Sequence, residues 1–392
     1  MLPAPGSHLE AAPARPWAPL APVLSRDSFG RAAPRAAGIL DADHLRFVTS
    51  GRIAIGLALQ ALGIAAGDTV LMPAYHSASM MPPVSWRGAA VRFYRLKPDA
   101  QADLLDATAC LDASVKAIVV THYFGFIQNL APIRAWCDMH GVALLEDCAH
   151  CFFGHYAGRP VGSFGDYAIA SSMKFFPAFD GGVLASSRHR LDAVMLGTAG
   201  AAFEAKAMLN TLERSFAYGR LPLLHRLLAW PLRAKSALWQ SRKGAQRPAL
   251  APASSDSEAG FDPAWLDKRA SWFARLLLRR VSGARIVARR RAHYATLDAA
   301  CRPLARARPL HAALPDGVCP WMYPLLIDDA DAVFIRLHRA GVPVTRFAAG
   351  TDASACANSV YLQRHVLAFP CHQELDAAEL AWIAAQICAV MA

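Results

Sequence analysis

No stretch of this 392-residue chain approaches the roughly 20 uninterrupted apolar residues of a membrane-spanning helix. Yet 54% of its residues are hydrophobic and the mean hydropathy is +0.22, partly because alanine is abundant. The amino terminus lacks a secretory layout: Pro3, Pro5, Pro13 and Pro16 break it, and no basic segment precedes an apolar run. Residues 1–24 read as a flexible arm. Closely paired cysteines of metal-site spacing are missing. The nine cysteines are scattered and odd in number, and the C-x-x-C of Cys148 and Cys151 shares its segment with Asp147 and His150. A reduced, cytoplasmic protein without a metal is expected.

Acidic residues are scarce as well, 30 against 41 Lys and Arg, which gives a net charge of +11 and a pI near 9.4. Such an excess suits nucleic acid, an anionic membrane surface or phosphorylated small molecules. No helix-turn-helix signature, zinc spacing or aromatic RNA-binding pattern accompanies it, which argues against nucleic acid. No internal repeat is present. A chain of this length buries a large core and usually divides into two lobes.

What is there is an alternation. Short apolar runs at 69–72, 91–94, 117–121 and 142–147 are separated by helical patterns, including 52–63 and 130–140, the latter with Asn129 as its cap. This predicts an α/β fold with a largely parallel sheet covered on both faces. Runs at 167–172 and 182–186 add two strands around Lys174. From about 188 the pattern changes. Residues 207–246 are apolar and basic together, 248–258 form a Pro/Ala/Ser-rich linker, and a long basic helix is predicted over about 267–300. A small α+β lobe follows, with a strand at 324–327, a helix at 331–340 ended by Gly341, and a helix at 375–391. The expected division is an arm over 1–24, a large lobe over 25–260 with a basic apolar insertion at about 204–258, and a helix with the small lobe over 261–392.

Lys174 stands in Ser171-Ser172-Met173-Lys174-Phe175-Phe176-Pro177, shortly before Asp180-Gly181-Gly182. Upstream, Leu144-Leu145-Glu146-Asp147 reads as a strand ending on a carboxylate. An amine and a carboxylate on successive elements of an α/β pattern suit a pyridoxal phosphate (PLP) site. The amine forms a Schiff base with the cofactor aldehyde, and the carboxylate keeps the pyridine nitrogen protonated. Apolar neighbours favour the neutral form of Lys174. Asp147 lies at the carboxyl end of its strand, where α/β sheets place ligand groups. Glu146 is the competing carboxylate and by alternation points to the opposite face. Ser50-Gly51-Arg52 enters a helix whose first N–H groups suit a phosphate, although serine is also a common plain cap. In Pro73-Ala74-Tyr75-His76-Ser77, His76 or Tyr75 offers a flat ring for the cofactor face, or else belongs to a polar surface loop. His150 is placed to stack on or hydrogen-bond the cofactor, and Ser171 to donate to its phosphate.

These motifs, in this order, resemble the DegT/DnrJ/EryC1/StrS aminotransferases. Further matches are Val120-Thr121-His122-Tyr123-Phe124-Gly125, Glu146-Asp147-Cys148-Ala149-His150, Tyr156-Ala157-Gly158-Arg159-Pro160-Val161-Gly162 and Gly165-Asp166. The resemblance covers about 48–187, and continues weakly through Arg289-Arg290-Arg291 and Phe369-Pro370-Cys371-His372. It implies PLP fold type I: a large lobe with a mainly parallel seven-stranded sheet, then a small lobe. It implies that Lys174 is the Schiff-base lysine and general acid/base, and that Asp147 pairs with the pyridinium. By the same resemblance His150 contacts the cofactor, His76 stacks on its ring, and Gly51, Arg52 and Ser171 bind its phosphate.

The implied reaction is amino transfer from an amino-acid donor, glutamate, to a keto-sugar or related carbonyl acceptor. The acceptor would be nucleotide-linked, in cell-envelope polysaccharide or natural-product biosynthesis. A homodimer with sites at the interface is implied too. The chain departs from the common pattern in two places. Lys174 sits nearer to Asp166, and the usual Gly-Asn-Tyr-Arg-Met segment has only Asp267-Lys268-Arg269-Ala270-Ser271 as a counterpart, which makes Lys268 and Arg269 candidates for reaching the neighbouring site. The alternatives are a PLP-dependent lyase or dehydratase, some of which carry histidine in place of the lysine, and a non-catalytic regulatory protein on the PLP fold. Finally, Leu221, Leu223, Leu224, Leu227, Leu228, Trp230 and Leu232 interleave with Arg220, Arg226 and Arg233. That pattern fits a helix lying on an anionic membrane or one packing on its own protein.

Overall fold

The computed structural model describes residues 16–29, 36–228 and 261–392. Seven strands form the main sheet, in the order β1-β9-β8-β5-β4-β2-β3. They are β1 (His44–Val48), β2 (Thr69–Pro73), β3 (Ala90–Tyr94), β4 (Val115–Thr121), β5 (Ala143–Asp147), β8 (Tyr167–Ser171) and β9 (Gly182–Ser186). The small strands β6 (His155–Tyr156) and β7 (Arg159–Pro160) pair with each other. The pairings of β8 with β5, β5 with β4, and β4 with β2 and β2 with β3 are parallel; β9 alone runs against its neighbours β1 and β8. This is the mainly parallel α/β sheet that the apolar runs predict.

Those runs are nearly continuous because both faces are covered. Val70, Val119, Leu145 and Ile169 belong to one apolar cluster, and Leu71, Ile118, Leu144 and Ala168 to another. Helix α1 (Gly51–Ala61) packs across β8 and β9 with Ile53, Ala54, Leu57 and Ala58 buried. Gly182 allows this approach, since a Cβ there would lie 2.3 Å from the Ser50 carbonyl carbon. The remaining helices of the large lobe are α2 (Met81–Trp86), α3 (Leu104–Ala109), α4 (Leu130–His140) and α5 (Ala201–Ala217). Asn129 stands at the N-cap of α4 as expected, but its side chain makes no cap bond; its Oδ1 accepts from the Tyr156 hydroxyl instead.

Three expectations are corrected. The long helix predicted over 267–300 is two helices, α6 (Trp272–Arg280) and α7 (Gly283–Cys301). Val281 is extended between them, and the Ser282 hydroxyl accepts from Arg285 N, so a second N-cap interrupts the basic pattern. The arm expected over 1–24 lies outside the described residues up to position 15. From Pro16 onward it is strapped down. Ala18, Val23 and Leu24 are buried, Trp17 N donates to Gly341 O, and Leu24 N donates to the Ser215 hydroxyl. Two strands of the small lobe also escaped the apolar pattern. Its sheet is β10 (Ala307–Pro309), β11 (Met322–Ile327) and β12 (Val366–Pro370), all antiparallel. Around it stand α8 (Ala330–Arg339), α9 (Ala357–His365) and α10 (Ala377–Met391), the last opened by a capping box between Asp376 and Glu379.

The basic apolar stretch is described only to residue 228, so Trp230, Leu232 and Arg233 lie outside the described residues. Within it Arg220 is engaged, donating to Glu379 at 2.6 Å and to Asp376 at 3.3 Å. Leu221 and Leu228 pack on the core, whereas Leu223 and Leu227 are exposed.

Candidate active site

A cavity of about 140 Å3 opens at the carboxyl ends of β5 and β8, against the first turn of α1. Alternation along β5 decides what reaches it. Asp147 shares its face with Leu145 and lines the cavity, while Glu146 shares the other face with Leu144. The two carboxylates accordingly have different partners. Glu146 accepts from the backbone N–H groups of Gly162, Phe164 and Gly165 at 3.0, 2.6 and 2.5 Å, and from His122 Nε2 at 3.3 Å. Both its oxygens are consumed in fixing a loop. Asp147 accepts from Ala149 N at 2.9 Å and from the Thr121 hydroxyl at 3.1 Å. Burial pushes its carboxyl pKa up, opposed by those hydrogen bonds and by the Lys174 charge.

Lys174 lies in the turn after β8, is buried, and also lines the cavity. Its Nζ stands 4.8 Å from the centre of the Trp321 ring. His150 stacks on the opposite partner of this contact, with ring centroids of His150 and Trp321 3.8 Å apart. Burial, with the Lys174 charge second, holds the His150 imidazole well below its ordinary pKa, so it is neutral. Its Nδ1 is buried without a hydrogen-bond partner among the described residues, which a native structure seldom tolerates unless a ligand group meets it.

At the other end of the cavity Ser50, Gly51 and Arg52 present the start of α1, with the Ser50 hydroxyl capping Ile53 N at 3.4 Å. Ser171 joins them from β8, and Ser77 and Ser79, whose hydroxyls lie 2.9 Å apart, from the loop after β2. A helix amino terminus ringed by hydroxyls is a site for a phosphate dianion. Amine, carboxylate, an orphaned imidazole nitrogen and an anion cradle around one cavity are the donor set that PLP requires, and the residues fit it.

Of the residues singled out in the sequence, Gly51, Arg52, Asp147, His150, Ser171 and Lys174 are brought together. His76 is not. It is buried beside the site but stacks on Phe93, with centroids 4.7 Å apart, and its Nδ1 meets Ala74 O at 3.2 Å; it does not line the cavity. Burial lowers its pKa, so it too is neutral. Trp321, Ser77, Ser79 and Phe347 were missed. Trp321 and Phe347 come from the small lobe, and no spacing in the sequence links them to Lys174. The two serines follow His76 closely, and their spacing carries no signal of a phosphate site. The segment 267–271 runs along β1: Arg269 N donates to Gly197 O, Ala270 N to Phe47 O, and the Ser271 hydroxyl to Asp180 at 2.7 Å. Arg269 itself is exposed.

The fold defines the class: a large α/β lobe with a mainly parallel seven-stranded sheet and a small lobe, the PLP-dependent transferase fold type I. The aminotransferase PseC of Helicobacter pylori superposes with a TM-score of 0.63 at 16% identity, over 89% of this chain and 87% of that one. Protein Spr1654 of Streptococcus pneumoniae, solved in a PLP form, gives 0.63 at 14%, over 95% and 98%. Residues 33–213 match the DegT/DnrJ/EryC1/StrS aminotransferase family. The chain is 30% identical over 154 residues to GDP-perosamine synthase of Vibrio cholerae, which is 38% of this chain and 42% of that protein. The chain thus spans less than half the length of the curated relatives it matches.

Proposed function

We propose that the chain is a PLP-dependent aminotransferase that moves an amino group from glutamate to a keto-sugar or related carbonyl acceptor, as a cytoplasmic enzyme of polysaccharide or natural-product biosynthesis. The observation that carries this reading is the convergence of Lys174 and Asp147 on one cavity at the start of α1. PLP supplies an aldehyde that captures amines and a ring that takes up the electron pair left on the substrate carbon. The protein does the rest. Lys174 would hold the cofactor at Nζ and would serve as the acid and base at the substrate carbon. Asp147 would keep the ring nitrogen protonated. Neutral His150 would offer its Nδ1 to a polar group of the ligand. The α1 terminus with Ser77, Ser79 and Ser171 binds the phosphate. Trp321 and Phe347 wall off water.

Two relatives carry a nucleotide-linked sugar in their names, a GDP-perosamine synthase and a UDP-N-acetyl-3-dehydro-alpha-D-glucosamine 3-aminotransferase, which together with the +11 charge favours an anionic, nucleotide-linked acceptor. An intact Lys174 favours transamination over dehydration. Adding L-glutamate alone to the PLP-loaded protein should convert its visible absorbance to that of the amine form of the cofactor. A spectrum that does not respond points to the lyase or regulatory reading. The site is taken to be completed in a homodimer, with Arg269 exposed towards the neighbour; an active species sedimenting as a monomer would contradict this. The exposed Leu223 and Leu227 beside Arg226 make anionic membrane contact a secondary proposal, and salt-insensitive absence of co-sedimentation with anionic liposomes would remove it.

A further inference from the structure

Arg290 on α7 is wholly buried, and among the described residues no carboxylate pairs with it. Its fork is spent on neutral acceptors. Nε donates to Gln373 Oε1 at 2.9 Å, Nη1 to the carbonyls of Pro320 and Trp321 at 3.1 and 2.9 Å, and Nη2 to the Lys174 carbonyl at 2.7 Å. Gln373 completes the clamp by donating to the Phe175 carbonyl at 2.8 Å, and the guanidinium lies 4.3 Å from the centre of the Phe175 ring. Two of those carbonyls belong to Lys174, which lines the cavity, and to Trp321, whose ring centre lies 4.8 Å from the Lys174 amine. The two are far apart in the chain, on different lobes, and one guanidinium holds both backbones.

Stability alone does not call for a cation here. Burying an unneutralised charge is costly, and well-packed apolar residues do as well or better. What the planar fork supplies is geometry, several fixed directions from one rigid group, which an ammonium cannot reproduce. We propose that Arg290 is a positioning residue: it locks the Lys174 turn to the Pro320–Trp321 segment so that the Lys174 amine is presented to the cavity against the Trp321 ring. Gln373 is its second member. This rests on the reading of Lys174 as the PLP lysine.

The test uses the full-length protein stripped of cofactor. PLP is added, the covalent bond to Lys174 is fixed with borohydride at timed intervals, and the Lys174 peptide is quantified by mass spectrometry. The pH midpoint of the visible absorbance and the melting curve are recorded in parallel. In the wild type, fixation on Lys174 is expected; fixation elsewhere, or none, overturns the functional reading and this proposal with it. With fixation established, Arg290→Lys should still melt cooperatively but fix PLP more slowly by on the order of tenfold to a hundredfold, as for a misplacement of about 1 Å. Its pH midpoint should also move. A merely structural arginine would lower the melting temperature and leave both the rate and the midpoint of folded molecules unchanged, and that result overturns the proposal. Should Arg290→Lys fail to fold, Gln373→Leu decides. It removes the acceptor of Arg290 Nε and the bond to Phe175 while leaving the three carbonyl acceptors of Arg290 in place, and a several-fold slower fixation supports the clamp whereas a wild-type rate and midpoint refute it.

Discussion

The end of β5 carries two adjacent carboxylates that face opposite sides of the same sheet, and the two sides are built differently. Beneath Glu146 the packing is closed: three backbone N–H groups and His122 converge on its oxygens. Beneath Asp147 the structure is open. Among the described residues Ala149 N and the Thr121 hydroxyl donate to the carboxylate, which lines the cavity together with Lys174. The closed side has the look of a group whose charge is used to hold a loop. The open side holds a group whose burial raises its pKa and whose charge is left for a ligand. Two carboxylates one residue apart are thus divided between a loop and the cavity because the strand alternates.

Substitutions that act on one side only would break or sharpen this contrast. The largest effect is expected at the open side from Lys174→Ala, which should abolish both the visible absorbance of covalently bound PLP and turnover while leaving the melting transition intact. Full activity in that variant would end the PLP reading. Next, Asp147→Asn should retain PLP but lose turnover by about 10²-fold to 10³-fold, since a preorganised charge at the reacting group is withdrawn. A wild-type rate would shift the pairing role away from Asp147. On the closed side, Glu146→Gln should lower stability by about 3 kcal/mol, because one amide N–H₂ is forced against backbone donors that lose their acceptor. The rate per folded, PLP-loaded molecule should stay near wild type. Denaturant titration checks the first, and active-site-normalised kinetics the second; a reversed pattern erases the distinction between the two faces.

The smallest effect concerns pH. Burial raises the folded pKa of Asp147 above its unfolded value of about 3.9, so ionising it costs stability in the cofactor-free protein. The stability associated with the protonated form is present below the unfolded value and is lost as pH rises through the folded one. Cofactor-free Asp147→Asn lacks this loss. Its stability relative to wild type should increase on going upward from about pH 4, as followed by melting temperature. A flat difference would mean that Thr121 and Ala149 already compensate the charge in full.

Much of the site was legible because it rests on local signals. Ser50 before an apolar helix, the strand ending at Asp147, and Lys174 ahead of Gly181-Gly182 each declare themselves within a few residues. His76 shows what local reasoning leaves out. A ring beyond a strand suggests a stacking partner, and its surroundings come from another strand: Phe93 stacks on it with ring centroids 4.7 Å apart. The expected single helix over 267–300 failed for a related reason. Its basic composition is continuous, and only the Ser282 cap and the extended Val281 divide it.

Short-range patterns along the chain specify the α/β alternation, the doubly covered sheet, the opposite orientation of Glu146 and Asp147, and the order of amine, carboxylate and helix terminus at the candidate site. Each follows from periods of two or 3.6 residues and from caps, which act between near neighbours. Only the tertiary structure decided that Trp321 would lie under the Lys174 amine, that Ser77 and Ser79 rather than His76 would face the cavity, and that Arg290 would bind the carbonyls of Lys174 and Trp321 at once. Those contacts join residues up to more than a hundred positions apart, for which the chain carries no local period. They arise when the small lobe packs against the Lys174 turn and its buried N–H groups must find acceptors there.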